Sequence, residues 1–385
     1  MTRRIFLILS SSFALLSALF AAFQVSAQSE QFGSALHDFE VTTIAEGLEI
    51  PWSMNWLPNG DMLVTERPGR LRIIRNGSLL AAPVEGIPAV HHEGQGGLFE
   101  VLPHPDFASN KLLYLSYAKP LSNNSGTTVI RGTFENDRLS NVEEIFQADT
   151  QGRNGHYGGR LAFDDAGYLF LTVGERQAPP SGDLQAHPAQ DLSNHNGVTI
   201  RLHDDGRVPS DNPFVGQRGA RPEIWSYGHR NPQGLAFHPV TGDLWEGEHG
   251  PQGGDELNII EAGNNYGWPV IGYGVNYGPG MPIHASQQGR DMEQPEHFWV
   301  PSIATSGLMI YNGDLFPKWK GDIFVGGLAG QLMARVDLGN DGKQVILRET
   351  LLAGIGRIRD IREGPDGAIY VATENRGILR LTPSD

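Results

Sequence analysis

The sequence predicts an all-β protein, a six-bladed β-propeller. Three observations carry that expectation. Glycine and proline are abundant, at 49 and 25 of 385 residues, while only 19% of residues are charged. That composition suits short strands joined by many turns rather than a helical bundle. No long amphipathic helical period is present. A loose unit of turn, strand, turn and strand recurs six times.

The six units lie at 57–67, 104–118, 163–175, 238–250, 318–330 and 364–375. Each opens on turn formers, as in "NGD", "SNK", "DDAG", "TGD", "KGD" and "PDG", and Asn-Gly and Asp-Gly tolerate positive φ. Each continues into an aliphatic, aromatic or β-branched run such as "MLVTE" or "AIYVAT". A second strand follows within 69–77, 127–134, 198–206, 256–263, 331–342 and 377–383. The spacing is uneven, so insertions separate the units. One such unit cannot bury its own face, but six stacked in a ring bury a continuous core. The early stretch "FEVTTIA" (39–45) is expected to pair with 377–383 and close the ring. A two-sheet sandwich explains six similar units less well.

The N-terminus has Arg3 and Arg4, an apolar run over 5–23 and the small-residue site Val25-Ser26-Ala27. This reads as a secretory signal over 1–27, cut near Ala27, with 28–385 as a single propeller domain that is periplasmic or secreted. The other reading is an uncleaved anchor. No later segment is apolar enough to span a bilayer as a helix. The 29 basic residues against 44 acidic ones give a net charge of −15. Cleavage would remove two arginines and no acid, leaving −17. So acidic a surface argues against nucleic acid or anionic membrane as a partner. Cysteine is absent, which excludes thiolate nucleophiles, cysteine zinc sites and disulfides.

Five polar, glycine-rich stretches stand out as site candidates. In "HHEGQGGLFE" (91–100), Gln95 lies between glycines, where backbone can approach a ligand, or the stretch is a plain connector. In "NGHYGGR", His156 could take a proton near neutral pH, or be a turn histidine. "SYGHRNPQGLAF" offers Arg230 and Asn231, either an anion fork or a loop brace. "EGEHGPQGGDELNII" crowds carboxylates, carbonyls and glycines, as a hard cation or a plain acidic loop would have them. Its adjacent Asp255 and Glu256 would face opposite sides of a strand. In "GIGRIRDIREG", Arg357 and Arg359 would share a strand face, with Arg362 adding charge. They suit a multiply anionic ligand, or salt bridges to a neighbouring blade.

Taken together, "GQGGL", "HPDF", "HYGGR", "SYGHRNPQGLAF", "EHGP…DE", "NYGWP" and "RIRD" resemble the soluble quinoprotein sugar dehydrogenases, which use pyrroloquinoline quinone (PQQ). The resemblance covers nearly all of 28–385. It implies a six-bladed propeller that oxidises aldose sugars to lactones and passes electrons to an external acceptor. It implies His156 as general base and Arg230 beside the reacting quinone oxygen. Gln95, Asn231, Arg357 and Arg359 become cofactor contacts. Gly250 and Pro251 become carbonyl ligands of Ca²⁺, with Asp255, Glu256 and Tyr266 at further acidic and calcium-associated positions. A homodimer is common among the glucose-oxidising members. Three positions depart from the family pattern. Ala329 stands where a lysine is usual, Glu175 where aspartate is typical, and His249 where the glucose enzymes have glutamine.

Two other functions compete on the same fold. A calcium-dependent lactonase or esterase would need no arginine pair. A non-catalytic binding propeller would need no base at His156. Fold alone does not choose among the three.

Overall fold

The computed structural model describes residues 29–384, apart from 123, 151, 279 and 340. The expected signal segment lies outside the described residues. Six small antiparallel sheets form the molecule. Blade 1 comprises Pro51–Trp56, Met62–Glu66, Arg70–Arg75 and Ser78–Leu79. Blade 2 comprises Leu98–Pro103, Leu112–Pro120, Ser125–Glu135 and Arg138–Gln147. Blades 3 and 4 begin with Leu161–Phe163 and Pro232–Phe237, and blades 5 and 6 with Thr305–Ile310 and Ile358–Glu363. These first strands pack against one another around the axis, blade 6 returning to blade 1. Phe39–Ala45 pairs with Gly377–Pro383, as expected, and closes the ring. Glu30–Phe32 adds a fifth strand outside it.

The repeated runs in the sequence are the second and third strands of each blade. Second strands such as Leu169–Val173 and Ile323–Gly327 are buried along their whole length, because a blade lies on either face. The core therefore sits in the seams between blades. Leu63 and Leu71 of blade 1 meet Leu98 and Leu115 of blade 2. Trp245 and Leu257 of blade 4 meet Leu308 and Val325 of blade 5. Met54 and Val64 meet Ala372 and Ile378 where the ring closes.

Strand direction decides where loops go. In an antiparallel blade, the loops after the fourth and second strands emerge at one end, and those after the first and third at the other. Gln95, His156, Arg230 and Arg357 follow fourth strands. Arg67, Glu175, Gly250, Ala329 and Glu374 follow second strands. All nine are thereby brought to the same end of the ring.

On the axis the first strands carry charge. Arg160 is buried and lies 3.1 Å from Glu100 and 2.9 Å from Asp360. Arg362 reaches the same two carboxylates at 2.8 and 3.0 Å. Arg160 also donates to the carbonyls of Gln233 and Arg359 and lies over the Trp52 ring. Ser53 Oγ donates to Glu100, and the Met54 amide to Asp360. Blade 5 completes the contact with Gly307, where a Cβ would sit 2.5 Å from Asp360 Oδ1. Arg160 and Arg362 are thus structural. Arg160→Met should destabilise the fold by about 3 kcal/mol, the lower end for breaking a buried pair, because Arg362 still reaches both carboxylates. Equilibrium denaturation checks this; unchanged stability would refute the role given to the cluster.

Candidate active site

His156 sits in the loop between blades 2 and 3, buried and with φ of 47°. Positive φ is uncommon for a residue with a side chain, so the loop must be held. Gln95 Oε1 accepts from the His156 amide at 2.8 Å. The Arg176 amide donates to the His156 carbonyl at 3.1 Å. Asn231 Oδ1 accepts from the Gly158 amide at 3.2 Å. Gly174 makes room, since a Cβ there would lie 2.4 Å from the His156 carbonyl oxygen. Arg176 is fully buried and stacks on Tyr157 at 4.0 Å. It donates to the carbonyls of Arg153, Gly155 and Ser125. The loop is thereby fixed from four directions.

The imidazole is oriented as well. His156 Nδ1 lies 2.7 Å from Glu175 Oε2. A carboxylate at that distance holds the proton on Nδ1 and leaves Nε2 with its lone pair. Burial, with Arg230 and Arg176 nearby, lowers the His156 pKa below its ordinary 6.5 against the upward pull of Glu175. The group is therefore a neutral acceptor at pH 7.

Arg230 donates through Nη1 to the carbonyls of His249, at 3.1 Å, and Gly250, at 2.6 Å. Its guanidinium lies 5.1 Å from the Trp268 ring, and its buried Nε has no partner among the described residues. Gln95, His156, Glu175, Arg230, Pro251 and Trp268 line one cleft of about 460 Å³. A larger hollow of about 810 Å³ opens at the other end of the ring, between blades 1 and 2. Its Arg75 is paired with Asp61 and Asp137.

Beneath Arg230 is a narrow pocket whose free volume, about 10 Å³, admits roughly one water-sized particle. Glu248, Gly250, Pro251, Glu256, Tyr266 and Trp268 are in its wall. Burial and the nearby Glu248 charge push the Glu256 carboxyl well above its usual range. Asn258 Oδ1, also buried, has no partner among the described residues. An oxygen-rich wall with mutually repelling carboxylates fits a hard cation. Asp255 and Tyr266 serve the wall differently. Both Asp255 oxygens are already engaged, by Ser302 Oγ and the amides of Gly250 and Ala304. Asp255 thus fastens the loop bearing Gly250 and Pro251. The Tyr266 hydroxyl donates to the Ile259 carbonyl and accepts from the Glu261 amide, while its ring stacks on His229.

His229, Glu246 and Glu248 also cluster within 4.8 Å and are all buried. Burial alone would lower the His229 pKa, but the two carboxylates override it and raise the value to about 10. Facing two carboxylates, this histidine is set to carry a proton and offset their charge. The Arg230 amide donates to Glu248 at 2.6 Å, so the cluster also positions Arg230.

At the same end of the ring, Arg357 and Arg359 share Glu374, at 3.0 and 2.7 Å. The bridge stays within blade 6, not between blades. Two guanidiniums on one carboxylate leave a net positive charge. Burial, with Arg357 and Arg67 adding to it, brings the Arg359 pKa down to about 10. His249 is held well below its usual range by burial, then by Arg230, His156, Arg359 and Arg357. Strand order brings the predicted base and arginines to one end of the ring. Sequence reading did not single out Arg67, Arg176, His229, Glu248, Trp268 or Glu374. Two of these, Arg67 and Glu374, directly follow a second strand, a position the repeat itself marks.

Comparison with known proteins agrees with this fold. A family model described as glucose/sorbosone dehydrogenase matches residues 48–380. Aldose sugar dehydrogenase YliI of Escherichia coli is 41% identical over 353 residues, covering 89% of this chain and 92% of that one. Quinoprotein glucose dehydrogenase B of Acinetobacter calcoaceticus is 27% identical over 450 residues, covering 96% and 94%. The PQQ-bound aldose sugar dehydrogenase of Streptomyces coelicolor superposes with a TM-score of 0.72 at 26% identity, covering 89% and 98%. With a family match spanning all six blades and a closely similar relative along most of its length, the chain belongs to the glucose/sorbosone dehydrogenase family.

Proposed function

We propose that residues 28–385 form an exported, PQQ- and Ca²⁺-dependent dehydrogenase that oxidises aldose sugars at the anomeric carbon to lactones. The observation that carries the proposal is an oriented, uncharged imidazole sharing a cleft with Arg230, while a surplus of arginine charge stands on blade 6. The donor sets suit both groups. A tricarboxylate needs unpaired guanidiniums, and Arg357 and Arg359 have one counter-carboxylate between them. A hard cation needs oxygen donors, and the wall beneath Arg230 offers Glu248 and Glu256 beside Gly250 and Pro251. When bound, PQQ supplies the hydride acceptor and Ca²⁺ the Lewis acid.

The chain's own share is placement and proton transfer. His156 Nε2 takes the anomeric hydroxyl proton, and Glu175 steadies the imidazolium that results. The longer arm of glutamate still reaches Nδ1, so the departure from aspartate keeps the pair intact. Arg230, held by Gly250 and Trp268, presents positive charge where negative charge develops. Gln95, which lines the cleft, and Asn231 both fix the His156 loop. The electrons leave to an external acceptor. A lactonase of this fold would have no use for the blade 6 arginines, and a binding propeller none for the His156–Glu175 pair.

Adding PQQ and Ca²⁺ together to the apoprotein should produce dye-linked aldose oxidation. Absence of any absorbance change and of activity on every aldose tried would reject the assignment. His156→Ala should lower kcat by about 10²–10⁴-fold, the usual worth of a general base, with PQQ binding retained. The pH profile gives an independent check. Neutral imidazole is the active form, so the acid limb of kcat/KM should fall below the ordinary histidine value. The Glu175 charge opposes that lowering, so Glu175→Gln should move the limb further down while kcat drops. A limb that moved up would contradict the pairing.

A further inference from the structure

Arg67 lies outside every motif used so far. It follows the second strand of blade 1 and so lies at the same end of the ring as Gln95, His156 and Arg357. Its carbonyl accepts from the Leu98 amide at 2.9 Å, and its Nη1 donates to the Gly94 carbonyl at 3.2 Å. A Cβ at Gly97 would lie 2.4 Å from Arg67 Cγ. The side chain therefore crosses the "GQGG" loop, one residue from Gln95. Its Nε is buried without a partner among the described residues. The two arginines that brace the axis and the His156 loop are fully engaged. Arg160 and Arg176 each engage all three guanidinium nitrogens. Arg67 has one long bond to a carbonyl.

The charges near it point the same way. Burial lowers the Arg67 pKa, Arg357 lowers it further, and Glu374 opposes both. Arg67 in turn acts on Arg359. Strand order brings Arg67 to the same end of the ring as Arg357, Arg359 and the one carboxylate those two share. Such a surplus is unfavourable until an anion joins it. Ala329 adjoins Leu328, whose carbonyl accepts from Arg357, and brings no cation of its own.

We propose that Arg67 is a third cofactor-binding cation, opposing Arg357 and Arg359 and engaging a carboxylate of the bound quinone. It takes over, from blade 1, the charge that Ala329 omits on blade 5. This rests on the quinoprotein reading above, and the test separates the two. Equilibrium binding of PQQ to the Ca²⁺-loaded apoprotein is followed by quenching of tryptophan fluorescence. Thermal melting of the apoprotein is followed alongside. Arg67→Met should weaken PQQ binding by about 10–100-fold, the usual worth of a charge-assisted hydrogen bond, and flatten its salt dependence. Arg67→Lys should recover part of the loss. Arg138→Met, at the opposite end of the ring, should leave binding unchanged and so exclude a general charge effect. The apoprotein Tm of Arg67→Met should equal or exceed that of the wild type, because a repelling charge is gone. Wild-type affinity in Arg67→Met would overturn the proposal. So would a fall in apoprotein Tm that accompanies the lost binding, which would make the side chain structural. Failure of the wild type itself to bind PQQ would instead remove the quinoprotein reading and this inference with it.

Discussion

Two carboxylates and two guanidiniums meet on the propeller axis, and the rest of the molecule is arranged around them. Glu100 and Asp360 come from blades 2 and 6, Arg160 and Arg362 from blades 3 and 6. Burying any one of these charges alone costs several kcal/mol. Together they cancel. The ring therefore closes favourably only in the register that brings all four together. That register also aligns the site. Arg160 is four residues beyond His156, and its Nη2 donates to the carbonyl of Arg359. One side chain ties the height of the His156 loop to that of the arginine-bearing segment.

Much of the fold was legible because packing on both faces leaves a plain signature. Met62–Glu66, Leu169–Val173 and Ile369–Thr373 are buried throughout, so they read as continuous apolar runs after turn signals. First strands were not legible as repeats. Their faces carry Ser53, Glu100, Gln233 and Asp360 toward the axis, and those residues interrupt any apolar period. The fourth strands range from two residues to ten, and from the largely exposed Arg138–Gln147 to Phe39–Ala45, which enters the core, so they share no common pattern. In the site, residues that differ from their surroundings could be found: a histidine among glycines, arginines in an acidic chain. Asp255 could not be sorted from Glu256 by sequence. One has both oxygens engaged by Ser302 and backbone amides, while the other borders the narrow pocket. Only tertiary contacts separate two adjacent acids of one strand. The same limit applies to Arg160, whose two buried carboxylate partners lie on distant strands.

The electrostatics of the site come from keeping opposite surpluses apart. Glu246, Glu248 and Glu256 lie below, partly offset by His229. Arg357, Arg359 and Arg67 lie at the same end of the ring, with Glu374 paired to the first two. Arg230 and the neutral His156 and His249 stand between. A field running from one surplus to the other favours an oriented ligand with its anionic groups toward the arginines and its cation-binding edge toward the acids. Burial first, and the nearby arginines second, keep the two imidazoles uncharged.

The segment from 260 to 296 has a second use. From the end of Asp255–Ile259 it turns back and runs parallel to the outer strand of blade 3. The amides of Gly263, Tyr266 and Trp268 donate to the carbonyls of Trp225, Tyr227 and Gly228. That strand, Ile224–Tyr227, would otherwise present a row of unpaired backbone groups, the template on which chains add to one another. Glu30–Phe32 covers blade 6 in the same way. The same segment carries Trp268 into the cleft. Loosening it would bare an edge and open the site together, so catalytic decline and self-association in this chain are two readings of a single local event.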